Sequence, residues 1–199
     1  MKTLVRLFAV VAGLYAGVAS AADKVETFAI DQVMGKADAP ITIIEYASTT
    51  CGHCATLHKG ALPKIKAEWV DTGKAKLIYR DFPTGPAGLS IGASMIAHCS
   101  GPERYFGVLG LIMEQQDKWM RSNDPLDALK KSVRLAGMTG EDVDACLKRQ
   151  DLANAIQERA RAGSKTYNIE STPTLVINGK VVEGALPYEE FDKILKAAK

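Results

Sequence analysis

Ile41-Thr42-Ile43-Ile44-Glu45-Tyr46-Ala47 leads through Ser48-Thr49-Thr50 into Cys51-Gly52-His53-Cys54. The first seven residues follow Pro40 and are rich in β-branched and aromatic side chains, which predicts a buried central strand. From Cys54, apolar Leu57, Ala61, Leu62, Ile65 and Trp69 recur at helical spacing as far as Asp71-Thr72-Gly73, with Pro63 expected to kink the middle. Ala75 to Phe82 reads as a second strand. Strand, helix and strand of these lengths make a βαβ unit with parallel strands and a right-handed crossover.

The stretch from about Ala87 to Asn168 shows helical patterns and no convincing strand, broken at Gly101-Pro102, Asn123-Asp124-Pro125, Gly137 and Gly140. After it, Thr174 to Ile177, the turn Asn178-Gly179 and Lys180 to Glu183 form a hairpin signal, and Pro187 to Ala198 an amphipathic helix. Sheet residues thus flank about 80 helical residues, a pattern of insertion rather than of two sequential domains. The division expected is 22–86 with 165–199 as the α/β domain and 87–164 as the helical insertion. No internal repeat or low-complexity tract is visible.

With 199 residues, 47% hydrophobic and 24% charged, the chain suits one globular domain or one with an insertion, and disorder, collagen and coiled coil are excluded. Met1 to Arg6 carries two positive charges, an apolar run follows from Leu7, and Ala19-Ser20-Ala21 offers the small residues a signal peptidase accepts. Residues 1–21 therefore read as a cleaved signal peptide. The alternative is an uncleaved anchor, for which Leu7 to Ala22 falls short of the roughly 20 residues that span a bilayer. Removing Lys2 and Arg6 from the 25 basic residues leaves 23 against 23 acidic ones. Such neutrality argues against nucleic acid as a partner. Four cysteines are too few to replace a hydrophobic core, but export puts them where disulfides persist.

Cys51 is expected at the N-terminus of the helix that follows the strand, where unpaired N–H groups and the helix dipole favour a thiolate. It should be the exposed, attacking sulfur, with Cys54 one turn along, buried and protonated when reduced. His53 could add charge or a hydrogen bond to the thiolate, making the disulfide more oxidising. The competing use of C-x-x-C is a metal knuckle, but that needs a second ligand pair at short spacing, and Cys99 and Cys146 are isolated. No metal and no organic cofactor are expected beside the redox-active pair.

At these residues the chain resembles the DsbA family of secreted bacterial thiol-disulfide oxidoreductases, which have a thioredoxin-like α/β fold with a helical insertion domain. The resemblance is carried by Glu45 to Cys54, by Tyr79-Arg80-Asp81-Phe82-Pro83 and by Ser171-Thr172-Pro173-Thr174. It implies that Pro173 is cis and faces the cysteines, a matter the residues alone leave open between cis and trans. Backbone groups of Thr172 would then pair with an extended substrate like an added strand. It also implies that Glu45 sits behind Cys54, where a buried carboxyl could pass protons to and from that thiol; the alternative is a Glu at the solvent edge of the strand. A DsbB-type membrane oxidase is the implied reoxidant, and a periplasmic monomer acting on unfolded or reduced client proteins the implied setting.

Cys99 and Cys146 are expected to form a second, structural disulfide, as in some alphaproteobacterial versions of this family; two free thiols or a regulatory pair are the alternatives. His58 could face the groove but is read as a surface residue, and His98 as structural. Trp119, Phe106, Met113 and Met120 are read as core rather than as an apolar client groove. The expected activity is donation of the Cys51–Cys54 disulfide to clients. A disulfide isomerase or reductase of the same fold is the nearest rival. Isomerases of the fold carry an added N-terminal module, and only Ala22 to Ala39 would precede the first strand here. A metal-binding or client-holding module is the rival from another class.

Overall fold

Strand-forming residues at 41–47 become the centre of a five-stranded sheet. The structure is a computed structural model describing residues 28–198, so the signal-peptide reading of residues 1–21 lies outside the described residues. The chain runs β1 (Gln32–Met34), β2 (Ile41–Ala47), α1 (Gly52–Lys59), α2 (Ala61–Ile65), a π-helical turn (Lys66–Val70) and β3 (Ala75–Asp81). Helices α3 (Ala87–Cys99), α4 (Tyr105–Glu114), α5 (Gln116–Met120), α6 (Pro125–Val133), α7 (Gly140–Cys146) and α8 (Gln150–Tyr167) follow, then β4 (Thr174–Ile177), β5 (Lys180–Glu183) and α9 (Tyr188–Ala197). The strand order is β1-β3-β2-β4-β5, with β2 parallel to β3 and antiparallel to β4. Asn178 and Gly179 both take positive φ, as a two-residue hairpin turn between β4 and β5 requires.

Three local features differ from the sequence reading. Strand β1, too short to show an alternation, exists because it pairs antiparallel with β3. The break in the helix after Cys54 falls at Gly60 (φ −108°, ψ −87°), not at Pro63. Pro63 lies in the first turn of α2, where a backbone N–H has no partner within the helix, so the ring costs nothing there. A second cis bond, Gly85-Pro86, precedes α3 in addition to Thr172-Pro173.

Side chains alternate across β2, and this alternation divides the core. Ile41 and Ile43 pack with Leu57, Ile65, Phe191 and Leu195 of α1, α2 and α9, while Ala47 joins the core of the helical block with Cys54, Tyr105, Val108, Ile112 and Trp119. Glu45 shares their parity and so points to the α1 face. Ile44 and Tyr46 point to the other face, with Ile78, Val176 and Ile169. Trp119 and Met113 are fully buried in the helical-block core, and Phe106 and Met120, partly buried, pack against that core.

Helix α8 closes the Tyr46 face. Gly163 lies against the Tyr46 ring, into which a Cβ would run. One turn earlier, Arg159 donates to Asp81 Oδ2 and to the Ile30 carbonyl (3.0 Å), and His98 Nε2 lies 2.9 Å from the same Asp81 oxygen. Arg80 donates to Asp31 (2.8 and 3.1 Å) and to the Tyr46 hydroxyl (2.9 Å). Burial alone would raise the Asp81 pKa, but the His98 hydrogen bond and the Arg159 charge hold it at about 2. The stability this depression contributes is present above the ordinary 3.8 and is lost only as pH falls through about 2. Thus α8 is already fixed on the sheet at Arg159, within the stretch assigned to the insertion.

Cys99 at the end of α3 and Cys146 at the end of α7 are joined in a disulfide, with Cα atoms 6.0 Å apart and a sequence separation of 47. In the chain-entropy model a loop of that length contributes about 4 kcal/mol. Among the described residues no helix is long and apolar enough to cross a membrane.

Gly163→Ala tests the close packing of α8. Helix propensity alone would make the change favourable by about 1 kcal/mol; the clash with Tyr46 should instead lower unfolding free energy by about 1–3 kcal/mol, read from denaturant midpoints. A variant as stable as the parent would contradict the packing described.

Candidate functional site

Cys51 is the N-cap residue of α1, with extended backbone (φ −84°, ψ 120°), and its sulfur is half-buried. Cys54, in the first turn, is fully buried. Both are free thiols, so the structure shows the reduced pair. The Cys51 pKa is lowered from 9.0 to about 5, chiefly by the Cys54 thiol, which donates toward the anion. Burial opposes this, while the Thr172 side chain and the main-chain N–H groups of Cys54 and His53 support it. The Cys51 side chain closes no capping hydrogen bond, so those two N–H groups act as dipoles aimed at the sulfur. The same pairing raises the Cys54 pKa far above its ordinary value, because its proton is held by Cys51 and because burial and the charges on Cys51 and Glu45 disfavour a second anion. Ser48 N–H donates to Cys54 Sγ at 3.4 Å and works in the opposite direction.

Thr172-Pro173 is cis, and the Thr172 carbonyl lies 3.3 Å from Cys51 Sγ, accepting from its thiol form. Glu45 is fully buried on the α1 side of β2. The structure therefore brings together Cys51, Cys54, Glu45, Thr172 and Pro173, and places the Cys99–Cys146 pair in the helical block between α3 and α7. His53 is exposed, and its contribution to the thiolate is the main-chain N–H.

His58 corrects the sequence reading. It is not a surface residue: its side chain is 10% exposed, and Nε2 shares a 2.9 Å hydrogen bond with Glu45 Oε1. The i, i+4 spacing from Cys54 puts both on one face of α1, and the parity of β2 turns Glu45 toward that face. His98 is held by Asp81, as a structural residue would be.

Other residues gave no signal in the sequence. Gln116, from α5, donates its amide to the carbonyls of Thr49 (2.8 Å) and Cys51 (3.0 Å), so the helical block grips the loop that presents the thiolate. Ser48 Oγ accepts from the N–H groups of Thr50 (3.3 Å) and Thr84 (3.2 Å) and lies 2.8 Å from Ser90 Oγ, which ties the loop to α3. Among the described residues no three His, Cys, Asp or Glu side chains converge in a way that could hold a metal ion. The chemistry available is that of two thiols in opposite protonation states, a carboxyl and an imidazole.

A family model described as thioredoxin matches residues 28–197, nearly all of the described chain. The chain belongs to the thioredoxin family. Within that family it is similar to a Rickettsia bellii protein provisionally named protein-disulfide oxidoreductase, at 32% identity over 161 residues, covering 79% of this chain and 61% of that one. Disulfide bond formation protein D of Bacillus subtilis is 24% identical over 170 residues, 82% of this chain and 75% of that one. The fold superposes on the crystal structure of Wolbachia pipientis alpha-DsbA1 with a TM-score of 0.80, at 25% identity over 89% of this chain and 94% of that one. This thioredoxin-family chain is thus DsbA-like in architecture, helical insertion included, and spans about three fifths of the length of the Rickettsia bellii protein.

The lowered Cys51 pKa has a measurable consequence. Thiolate absorbance of the reduced protein should titrate with a midpoint near pH 5, and Cys51→Ser should remove the transition. Because the folded pKa lies below the ordinary 9.0, the stability it gives the reduced form is complete above about pH 9 and lost as pH falls through about 5. A midpoint above pH 8 would contradict the arrangement.

Proposed function

We propose that this protein is an exported thiol-disulfide oxidoreductase that donates the Cys51–Cys54 disulfide to reduced client proteins. The observation that carries the reading is the opposite protonation of the two sulfurs, Cys51 lowered to about 5 and Cys54 raised, on either side of one helical turn. Stabilising the reduced form in this way makes the corresponding disulfide a better oxidant. The names of the Rickettsia and Bacillus relatives support the same chemistry.

A client thiolate attacks the half-buried Cys51 sulfur of the oxidised pair. The Cys51–Cys54 bond breaks and its electrons leave on Cys54, which takes up a proton in its buried site. A second client thiolate then attacks the client sulfur of the mixed disulfide, and Cys51 departs as a stable anion. Two client thiols become a disulfide, and the enzyme is left with one thiolate and one thiol. The Thr172 main chain beside Cys51 supports client docking by backbone pairing, which favours extended chains with little side-chain preference. Turnover requires an oxidant, for which a quinone-linked membrane partner of the DsbB type is our proposal. The Cys99–Cys146 disulfide supports work outside the reducing cytosol, in a periplasmic setting.

Oxidative refolding of reduced ribonuclease with glutathione disulfide as terminal oxidant tests this. Client thiols should disappear faster than in buffer, Cys51→Ser should abolish the acceleration, and Cys54→Ser should accumulate a mixed disulfide through Cys51. Acceleration confined to scrambled, already oxidised ribonuclease would replace oxidase with isomerase. Absence of both acceleration and a Cys51 adduct would overturn the reading altogether.

A further inference from the structure

Glu45 and His58 form a pair that disulfide transfer at Cys51 does not itself use. Both are nearly or fully buried, they share a 2.9 Å hydrogen bond through Oε1, and Glu45 Oε2 has no hydrogen-bond partner in the protein. A buried carboxyl oxygen left without a partner is costly unless water reaches it. A half-open cavity of about 190 Å³ lies against the pair, with Glu45, His58, Leu62, Pro63, Phe106 and Leu109 in its lining. That is room for several waters. His58 also lines a separate hollow on the outer surface with Lys59 and Glu114. One imidazole therefore holds the bond to Glu45 and borders both this cavity and the outer hollow.

The reaction creates a need for such a link. Cys54 must gain a proton when it leaves Cys51 and lose it when the pair is reoxidised, yet it is fully buried and its thiol is held protonated far above the ordinary range. Direct ionisation into solvent is closed to it. Glu45 lies close enough for its charge to act on the Cys54 thiol.

We propose that His58 is the solvent end of a proton relay, running from Cys54 through Glu45, with water in the adjoining cavity, to His58. The proposal rests on the oxidoreductase reading above. During reduction of the enzyme disulfide, Glu45 gives its proton to the departing Cys54 sulfur and is reprotonated by the His58 imidazolium, which takes its proton from solvent. During reoxidation Glu45 first gives its proton through His58 to solvent, and the carboxylate so formed takes the proton of the Cys54 thiol. The Cys54 thiolate then attacks Cys51 of the mixed disulfide and expels the oxidant's thiolate. Each direction moves one proton and one electron pair, and His58 and Glu45 return to their starting states. The other titratable or charged groups around the pair are Lys66 on the π-helical turn, Tyr79 on β3, Tyr105 and Glu114 on α4, and Lys59 on α1. Burial pushes Tyr79 and Tyr105 well above their ordinary range, so neither accepts a role in proton exchange near neutral pH.

The test follows oxidation of the reduced protein by glutathione disulfide, separating formation of the Cys51–glutathione adduct from its resolution by Cys54. His58→Gln keeps a hydrogen bond to Glu45 without a titrating ring, and His58→Ala opens space for a free imidazole. Both should form the adduct at the parent rate and resolve it about 10- to 100-fold more slowly at pH 7, with a pH profile of resolution that differs from the parent's. Imidazole should restore resolution in His58→Ala, and pyrazole, of the same shape but scarcely basic, should not. Parent-like resolution and pH profile in both variants would overturn the relay, as would slowing that imidazole and pyrazole leave equally uncorrected. A parent protein that forms no glutathione adduct at all would overturn the oxidoreductase reading instead.

Discussion

The anion on Cys51 is stable only while Cys54, one helical turn away, keeps its proton. Two sulfurs so close in a half-buried site cannot both ionise, and the Cys54 thiol is the largest single stabiliser of the Cys51 thiolate. Position does the sorting. Cys51 sits at the helix start, among unpaired N–H groups, whereas Cys54 is turned into the core against Ala47 and the Ser48 N–H. The rest of the architecture preserves this difference. Gln116 holds the carbonyls of the loop, Ser48 and Ser90 tie it to α3, and Thr172 closes the other side.

The helical block thereby becomes part of the site rather than an ornament on the sheet. Its core runs without interruption into Cys54, Ala47 and Tyr79, so α3, α4 and α5 shape the apolar surroundings in which the buried thiol stays neutral. At the end of β3, Arg159, Asp81, His98, Asp31 and Arg80 fasten α8, α3 and the residues before β1 to that strand. Removing one member of such a buried set leaves its partner charged and uncompensated, at a cost of about 3–5 kcal/mol. These charges hold the two parts of the chain in register.

Much of this was legible in the sequence, for identifiable reasons. β2, β3, the β4–β5 hairpin and α9 carry their periodicity and turn chemistry locally, and the position of Cys51 between strand and helix follows from those elements alone. Strand β1 was not legible, because three residues acquire strand geometry only by pairing with β3. Gln116, Ser90 and Arg159 were invisible for a related cause: each acts on a partner 42 to 78 residues distant, and nothing near them in sequence marks the contact. His58 is the instructive case. Its spacing from Cys54 was readable, but its meaning depended on the parity of Glu45 in β2, which a strand reading supplies only when the two are considered together.

The central claim is that the reduced pair is stabilised by an asymmetric thiolate and thiol, and that this makes the disulfide oxidising. The equilibrium of Cys51–Cys54 with glutathione at pH 7 measures it directly. The account requires a potential on the oxidising side, nearer about −120 mV than about −270 mV. A value near about −270 mV would mean that the thiolate is not stabilised as the structure describes, and would contradict the account.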